Sequence, residues 1–221
     1  MDRNRKSPYP PQLDRTGRER QKGVVVGIAG PIAAGKSTVS LFLTGMGARE
    51  IDADAVCHRF LREEPVLSEI VKHFGASILD KHGYPDRWKL GRIVFDDEKY
   101  VSILNRILHP YLMKEVEQEV KEAREHGVVL VLNSALLFES GIDELCDHVI
   151  TVTADLEVRR HRALTKRGWP PGELKKRESY FMPLEEKIER SDFIIENNGK
   201  YEDLQQRTEE VFKEIVNDKQ S

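Results

Sequence analysis

Residues 30–37 read Gly-Pro-Ile-Ala-Ala-Gly-Lys-Ser and are followed by Thr38. This run matches the pattern Gly-x-x-x-x-Gly-Lys-Ser/Thr, in which the backbone N–H groups of a glycine-containing loop converge on a phosphate chain. A β-branched apolar run, 23–29, precedes the loop, and a helical apolar pattern over 39–46 follows it. The strand-loop-helix context predicts that this segment, here called the P-loop, binds the phosphates of a nucleoside triphosphate.

The residue types of the P-loop have separate chemical roles. The ammonium group of Lys36 is expected to reach the β- and γ-phosphates, and the hydroxyl of Ser37 can ligate Mg²⁺. Pro31 removes one N–H donor from the loop, while Gly35, Lys36 and Ser37 keep theirs. A P-loop does not name the phosphoryl acceptor, because kinases, GTPases, motors and nucleic-acid ATPases all carry one.

Further apolar runs predict the rest of the core. Strands are predicted at 48–51, 128–132, 148–153 and 192–195, and helices at 111–125, 156–166 and 201–216. Strands that are apolar throughout and separated by helices are typical of a parallel sheet covered on both faces. We therefore predict an α/β fold of the P-loop kinase type: a three-layer sandwich around a five-stranded parallel sheet.

About 75 residues separate the second and third predicted strands, which is too many for one crossover helix. We expect a helical insert there, on the substrate side, and a helical lid later in the chain. The predicted divisions are a disordered basic leader at 1–22 and a kinase domain at 23–221, made of a core (23–54, 127–158 and 190–221), an insert at about 55–126 and a lid at about 159–189.

Asp52-Ala-Asp54 follows the second predicted strand, and ligands of open parallel sheets bind at the carboxyl ends of strands. Transfer of a phosphoryl group to an alcohol needs a base for the hydroxyl proton and acidic support for Mg²⁺. In an extended segment, Asp52 and Asp54 would point the same way and could divide these roles. The spacing alone equally allows Asp54 to be a helix N-cap, and the nearby P-loop favours catalysis.

The region 159–177 is strongly basic and surrounds the turn Gly168-Trp-Pro-Pro-Gly172. Two helices joined by this turn could close over the reacting phosphates and bring guanidinium groups onto them. A solvated helix face is the alternative interpretation of such a charge run.

Composition narrows the function classes. The 221 residues contain 35 Lys and Arg against 38 Asp and Glu, a net charge of −3, which argues against a nucleic-acid-binding protein. The leader alone carries +4, so it could also be an electrostatic arm. No apolar stretch reaches the length of a membrane span. The two widely separated cysteines indicate a reducing compartment, and we expect a cytoplasmic protein.

The ordered set of motifs resembles the dephospho-CoA kinase family from residue 23 to about 216. The matching pieces are the P-loop, Ile51-Asp-Ala-Asp54, His73-Phe-Gly-Ala76, Ile93-Val-Phe95, Leu108-His-Pro110, Leu136-Leu-Phe-Glu139, Met182-Pro-Leu-Glu-Glu-Lys187 and Asp192-Phe-Ile-Ile-Glu-Asn-Asn-Gly199. The resemblance implies ATP-dependent phosphorylation of the ribose 3′-hydroxyl of dephospho-CoA. It further implies Mg²⁺ as cofactor and ATP as co-substrate.

The resemblance also implies roles for individual residues. It places the catalytic base at Asp54 and lid arginines at Arg162 and Arg177, while the chemistry of Ser37 and Asp52 already makes them the expected Mg²⁺ ligands. It places the ATP phosphates on the P-loop residues Gly30, Ala33, Ala34, Gly35, Lys36, Ser37 and Thr38. His109 could contact substrate or cap the next helix, Glu139 could be a helix cap, and Asn197 could border the adenine or form a turn.

Several positions depart from the family pattern. Pro31, Ala33 and Ala34 replace looser residues of the P-loop, Asn133 and Ala135 stand where Asp and Pro are usual, and Phe181 stands where a Gln is usual. Pro31, Asn133 and Phe181 leave open a non-catalytic ATP-binding regulator, although the intact Lys36, Ser37, Asp52 and Asp54 argue against it. Another small-molecule P-loop kinase, of nucleoside or shikimate type, is the nearer alternative. The insert would distinguish it, since the acceptor is expected to bind there.

Overall fold

The computed structural model describes residues 23–218, so the predicted leader at 1–22 lies outside the described residues. Strands and helices alternate along the core, with several helices in succession between the second and third strands. In chain order the elements are β1 (Val24–Ala29), α1 (Lys36–Gly45), β2 (Arg49–Asp52), α2 (Ala53–Phe60), α3 (Val66–Phe74), α4 (Arg87–Val94), α5 (Glu98–His126), β3 (Val129–Asn133), β4 (His148–Thr153), α6 (Leu156–Arg167), α7 (Glu173–Glu178), α8 (Leu184–Glu189), β5 (Phe193–Glu196) and α9 (Tyr201–Asp218).

The five strands form one parallel sheet in the order β2-β3-β1-β4-β5, which confirms the predicted sheet. β1 is central, with β3 on one side and β4 on the other. Because every strand runs the same way, all carboxyl ends meet at one edge. The P-loop after β1 and Asp52 at the end of β2 therefore lie at the same edge of the sheet.

Alternate residues of β1 build two separate hydrophobic layers. Val24, Val26 and Ile28 pack on the face covered by α1 and α9, and Val25 and Ala29 pack on the face covered by α5. Each fully buried Val or Ile stabilises the fold by about 1.5–3 kcal/mol relative to an exposed one. Burial on both faces explains the uninterrupted apolar strands and gives the predicted three-layer arrangement.

The helices between β2 and β3 have a hydrophobic cluster of their own. Its buried members come from α2 to α5 and the connections between them: Leu61, Val66, Ile70, Phe74, Ile78, Leu90, Val94, Ile107 and Leu108. None of these residues belongs to either layer that covers the sheet. The described residues include no helix that has the length and apolarity to cross a bilayer.

α5 corrects one sequence prediction. The helix expected over 111–125 begins at Glu98, and Pro110 lies inside it, so a capping role for His109 is wrong. Asp97 caps the helix instead, accepting a hydrogen bond from the Lys99 N–H at 2.9 Å. A proline in a helix interior costs about 3 kcal/mol, and the helix persists because apolar side chains on both sides of Pro110 are buried.

Candidate active site

The P-loop follows a backbone path that few residue types allow. Gly30, Ala33 and Gly35 have φ values of 137°, 61° and 111°. At Gly35 a Cβ atom would also lie 2.1 Å from the Asn197 Nδ2 atom, far inside contact distance. Gly35 is therefore required both by its backbone conformation and by the close approach of Asn197.

Arg162 and Asn197 hold the outer side of the P-loop. The Ala34 carbonyl accepts hydrogen bonds from Asn197 Nδ2 at 2.6 Å and from Arg162 Nη1 at 3.1 Å. Arg162 Nη2 also donates to the Asn197 carbonyl at 3.0 Å. The N–H and C=O of a peptide unit point in opposite directions, so a carbonyl fixed on the outside turns the neighbouring N–H donors toward the inside. Arg162 thus orders the loop, and Asn197 has a structural role.

Lys36 lies across the loop that it terminates. Its ammonium group donates to the Gly30 carbonyl at 2.9 Å and to the Pro31 carbonyl at 3.1 Å. Burial lowers the Lys36 pKa to about 8, although the nearby carboxylate of Asp54 favours the charged form. The ammonium is therefore held in place, close to the carboxylate.

The amino end of α1 is open to an anion. Gly35 is its N-cap and offers no side chain, and the first turn contains no acidic residue. Ser37 is exposed there, and Thr38 follows it. Unpaired N–H groups and the helix dipole make this end an anion-binding site.

The two aspartates lie together but in different local structures. Asp52 ends β2 and is the N-cap of α2, accepting a hydrogen bond from the Ala55 N–H at 3.0 Å. Asp54 lies in the first turn of α2, so the expectation that both belong to one extended segment is wrong, as is the alternative of Asp54 as the cap. The capping role falls to Asp52, which leaves the Asp54 carboxylate available for other chemistry.

The environment of Asp54 suits a base. Surrounding protein desolvates the carboxylate and raises its pKa, while the Lys36 ammonium opposes that shift. The side chain nevertheless remains exposed, so a substrate can reach it. Three positive groups lower the Asp54 pKa against the effect of burial: Lys36 most, then His58, then Arg167.

Arg167 was not singled out by the sequence. It ends α6, and its charge is felt by both Asp54 and Lys36. Its guanidinium lies 5.0 Å from the centre of the Trp169 ring. The basic run around it contains many similar residues, so only the fold could show which arginine's charge reaches the Asp54 carboxylate.

Arg177 was expected to act on the reacting phosphates, but it contacts a carboxylate and two aromatic rings. Its Nε donates to Glu173 at 2.7 Å, and its guanidinium lies 4.5 Å from the Phe95 ring centre and 4.4 Å from that of Trp169. These contacts join α7 to the helices between β2 and β3. The structure therefore brings Lys36, Asp52 and Asp54 within reach of one another's charge. It places Arg162 against the P-loop carbonyls and Arg177 against Phe95, not against these three residues.

Two family motifs meet in a buried ion pair that the sequence did not reveal. Lys187 is only 1% exposed, and its ammonium donates to Glu139 at 2.9 Å and to the Ala135 carbonyl at 3.1 Å. Glu139 also accepts the Met182 N–H at 2.8 Å, so it joins the segment after β3 to the start of α8. Asn133, which stands where the family usually has an Asp, takes no part in this pair. Its Nδ2 donates to Glu50 Oε1 at 3.0 Å.

Comparisons with known proteins agree with this arrangement. A family model for dephospho-CoA kinase matches residues 24–203. A dephospho-CoA kinase of Aquifex aeolicus is 39% identical over 194 residues, covering 87% of this chain and 98% of the relative. The structure of dephospho-CoA kinase from Campylobacter jejuni superimposes with a TM-score of 0.64 at 28% identity, covering 86% of this chain and 96% of the other.

More distant kinases share the fold alone. Thymidylate kinase from Candida albicans has a TM-score of 0.52 at 14% identity, over 90% of this chain and 94% of that one. The P-loop kinase fold is thus common to enzymes with different acceptors, whereas the family model and the relative from Aquifex cover most of this chain. The chain therefore belongs to the dephospho-CoA kinase family.

Proposed function

We propose that the chain transfers the γ-phosphoryl group of ATP to the ribose 3′-hydroxyl of dephospho-CoA, giving coenzyme A and ADP in the last step of coenzyme A biosynthesis. The observation that carries the proposal is the exposed carboxylate of Asp54 beside the P-loop Lys36, in a chain of this family. A cytoplasmic location fits the two free thiols of Cys57 and Cys146.

The P-loop binds the triphosphate in this proposal. N–H groups of residues 33–38 surround the β- and γ-phosphates, and Lys36 exchanges its carbonyl partners for phosphate oxygens. Arg162 keeps the loop carbonyls turned outward. These residues position the γ-phosphate and need no movement of the sheet.

Asp54 is the base that receives the proton of the acceptor hydroxyl. Its raised pKa brings its basicity closer to neutrality than that of an ordinary aspartate, and a base is most effective when its pKa lies near the working pH. The charge of Lys36 opposes this rise and so favours the ionised form of Asp54, which is the form that accepts a proton.

Ser37 and Asp52 fit a Mg²⁺ ion held together with the phosphates. Ser37 is exposed at the start of α1, and only the Oδ1 oxygen of Asp52 has a hydrogen-bond partner among residues 23–218. No cluster of three or more His, Cys, Asp or Glu side chains occurs in that range, so phosphate oxygens would complete the coordination. When bound, the ion neutralises phosphate charge.

The acceptor is proposed to bind between the insert and the lid. A cavity of about 600 Å³ separates α4 and the start of α5 from α7, and its walls include Trp88, Arg92 and Lys176. The Arg177 guanidinium packs on Phe95 of the same wall. Asp96 and Glu173 also line the cavity, and Lys176 pairs with Asp96 at 3.0 Å, so Arg92 and the aromatic rings are the groups that suit a nucleotide.

Arg167 is proposed as the arginine that acts on the transferring phosphoryl group, since its charge acts on both Lys36 and Asp54. Arg167→Ala should lower kcat by about 10- to 100-fold with little change in the KM for ATP. Arg160→Ala, on the same helix and paired with Glu157, is the control and should retain wild-type kcat. Steady-state ADP release measures both, and equal kcat values in the two variants would contradict the assignment.

The shifted pKa values of Asp54 and Lys36 predict the pH profile of kcat/KM for ATP. Asp54 must be unprotonated to accept a proton, so the rate should fall as pH decreases through its raised pKa. Lys36 must be protonated to bind phosphate, so the rate should also fall above about pH 8. Lys36→Arg keeps the charge at every accessible pH and should lose the alkaline limb. An unchanged alkaline limb in that variant would assign it to another group.

The direct test is ADP release with ATP, Mg²⁺ and dephospho-CoA, compared with nucleoside and shikimate acceptors. Turnover that requires dephospho-CoA supports the proposal. Tight ATP binding without turnover of any acceptor would instead indicate an ATP-binding regulator.

A further inference from the structure

An ion pair holds the P-loop from outside the phosphate-binding residues. Arg159 of α6 and Glu178 of α7 form a salt bridge with an Nη1 to Oε1 distance of 2.5 Å. Their side chains are 10% and 20% exposed, so the pair is largely withdrawn from solvent. Arg159 Nε also donates to the Ala154 carbonyl at 3.1 Å, which fixes the guanidinium to the end of β4.

Both members of the pair bind the backbone of Ile32. The Ile32 N–H donates to Glu178 Oε1 at 2.9 Å, and Arg159 Nη1 approaches the Ile32 carbonyl at 3.4 Å. The two partners are 146 and 127 positions away in the chain. The backbone of Ile32 is thus fixed on both its N–H and its carbonyl side.

Ile32 lies between two residues that constrain the path of the loop. Pro31 before it has no N–H to donate, and Ala33 after it has a φ of 61°, a conformation that non-glycine residues avoid. Such a conformation persists only when its surroundings impose it. The contacts from Glu178 and Arg159 supply that restraint immediately before the N–H donors of residues 34–38.

We propose that Glu178 is a positioning residue for ATP binding: with Arg159, it holds the Ile32 backbone so that the following N–H groups converge on the triphosphate. This rests on the proposed function of the P-loop. Glu178 is also the last residue of α7 and follows Arg177, so the geometry of the loop and the placement of α7 depend on one carboxylate.

The chain offers a matched control at the opposite end of β1. Asp147 accepts the Val25 N–H at 2.8 Å and pairs with Arg124 at 3.0 Å, the same two contacts that Glu178 makes. Val25 lies near the start of the strand, away from the P-loop. Loss of Asp147 removes equivalent interactions without touching the phosphate site.

The experiment is isothermal titration of ATP with Mg²⁺ into the full chain, without acceptor, combined with thermal unfolding. Glu178→Ala should raise the Kd for ATP by about tenfold or more, because a charged hydrogen-bond acceptor is lost. Glu178→Gln still accepts the Ile32 N–H and should restore most of the affinity, to within about threefold of wild type. Asp147→Ala should lower the melting temperature and leave the Kd unchanged.

A Kd within twofold of wild type in Glu178→Ala would overturn the proposal, as would equal increases in Glu178→Ala and Asp147→Ala. If Glu178→Ala does not fold, Arg159→Lys decides, since an ammonium cannot reach both the Ile32 and Ala154 carbonyls as the guanidinium does. We expect a three- to tenfold higher Kd from Arg159→Lys, on the order of one lost hydrogen bond, and an unchanged Kd overturns the proposal. The titration contains no dephospho-CoA, so a wrong acceptor leaves its result intact.

Discussion

Replacing Lys36 by methionine should lower kcat/KM for ATP by about 10³-fold or more. The ammonium is a charge fixed within the loop, and its removal takes away the cation that we propose binds the γ-phosphate. Because the Lys36 charge lowers the Asp54 pKa, the neutral side chain should also let that pKa rise further. Initial rates of ADP release across a range of ATP concentrations measure the effect.

Lys213→Met is the matched control for this change, because Lys213 is exposed on the later part of α9, away from the carboxyl ends of the strands. It should retain wild-type rates. A Lys36→Met enzyme that keeps more than a tenth of wild-type kcat/KM would show that another group carries the phosphate charge.

Asp54→Asn should lower kcat by about 10²–10⁴-fold while the KM for ATP stays close to wild type. An amide is isosteric with the carboxylate but accepts no proton, so the loss falls on the chemical step. The acid limb of the pH profile should disappear from the residual activity. Single-turnover rates from pH 5 to pH 9 measure both effects.

Asp52→Asn separates the roles of the two aspartates. Asparagine caps a helix as well as aspartate does, so the start of α2 should survive the change. The variant should keep its acid limb and require more Mg²⁺ for half-maximal rate. If Asp52→Asn lost the acid limb and Asp54→Asn kept it, the base would be Asp52.

The core of the fold was predictable because its signals are local and repeated. β1 is apolar at every position and leads directly into the P-loop, so the order strand, loop, helix could be placed to within a few residues. The parallel sheet followed from the absence of polar alternation in the strands.

The start of α5 was not predictable from local rules. Proline usually ends a helix, so Pro110 suggested a boundary that lies instead near Glu98. Residues such as Ile107 and Leu108 are buried against α2 to α4, and this burial outweighs the free energy that the proline costs the helix. That balance depends on packing partners that the sequence order does not reveal.

The candidate site was only partly predictable for the same reason. Spacing identified Lys36 and both aspartates, but it allowed Asp54 to be either the base or the helix cap, and the cap is Asp52. Among the arginines of the basic region, charge is equal and only packing distinguishes them: Arg162 binds loop carbonyls, whereas the charge of Arg167, at the end of α6, acts on Asp54.

Pro110 also determines how the enzyme can bend. α5 is about 43 Å long at 1.5 Å per residue, and its buried side chains change clusters between Leu108 and Leu112, on either side of this proline. Proline has no N–H to donate to the carbonyl four residues earlier, so α5 lacks one backbone hydrogen bond there and bends most easily at that point. The 12 residues before it form a lever of about 18 Å, and a bend of about 10° would move its tip by about 3 Å. A bend at Pro110 would therefore move the helices packed on the first part of α5 relative to the sheet.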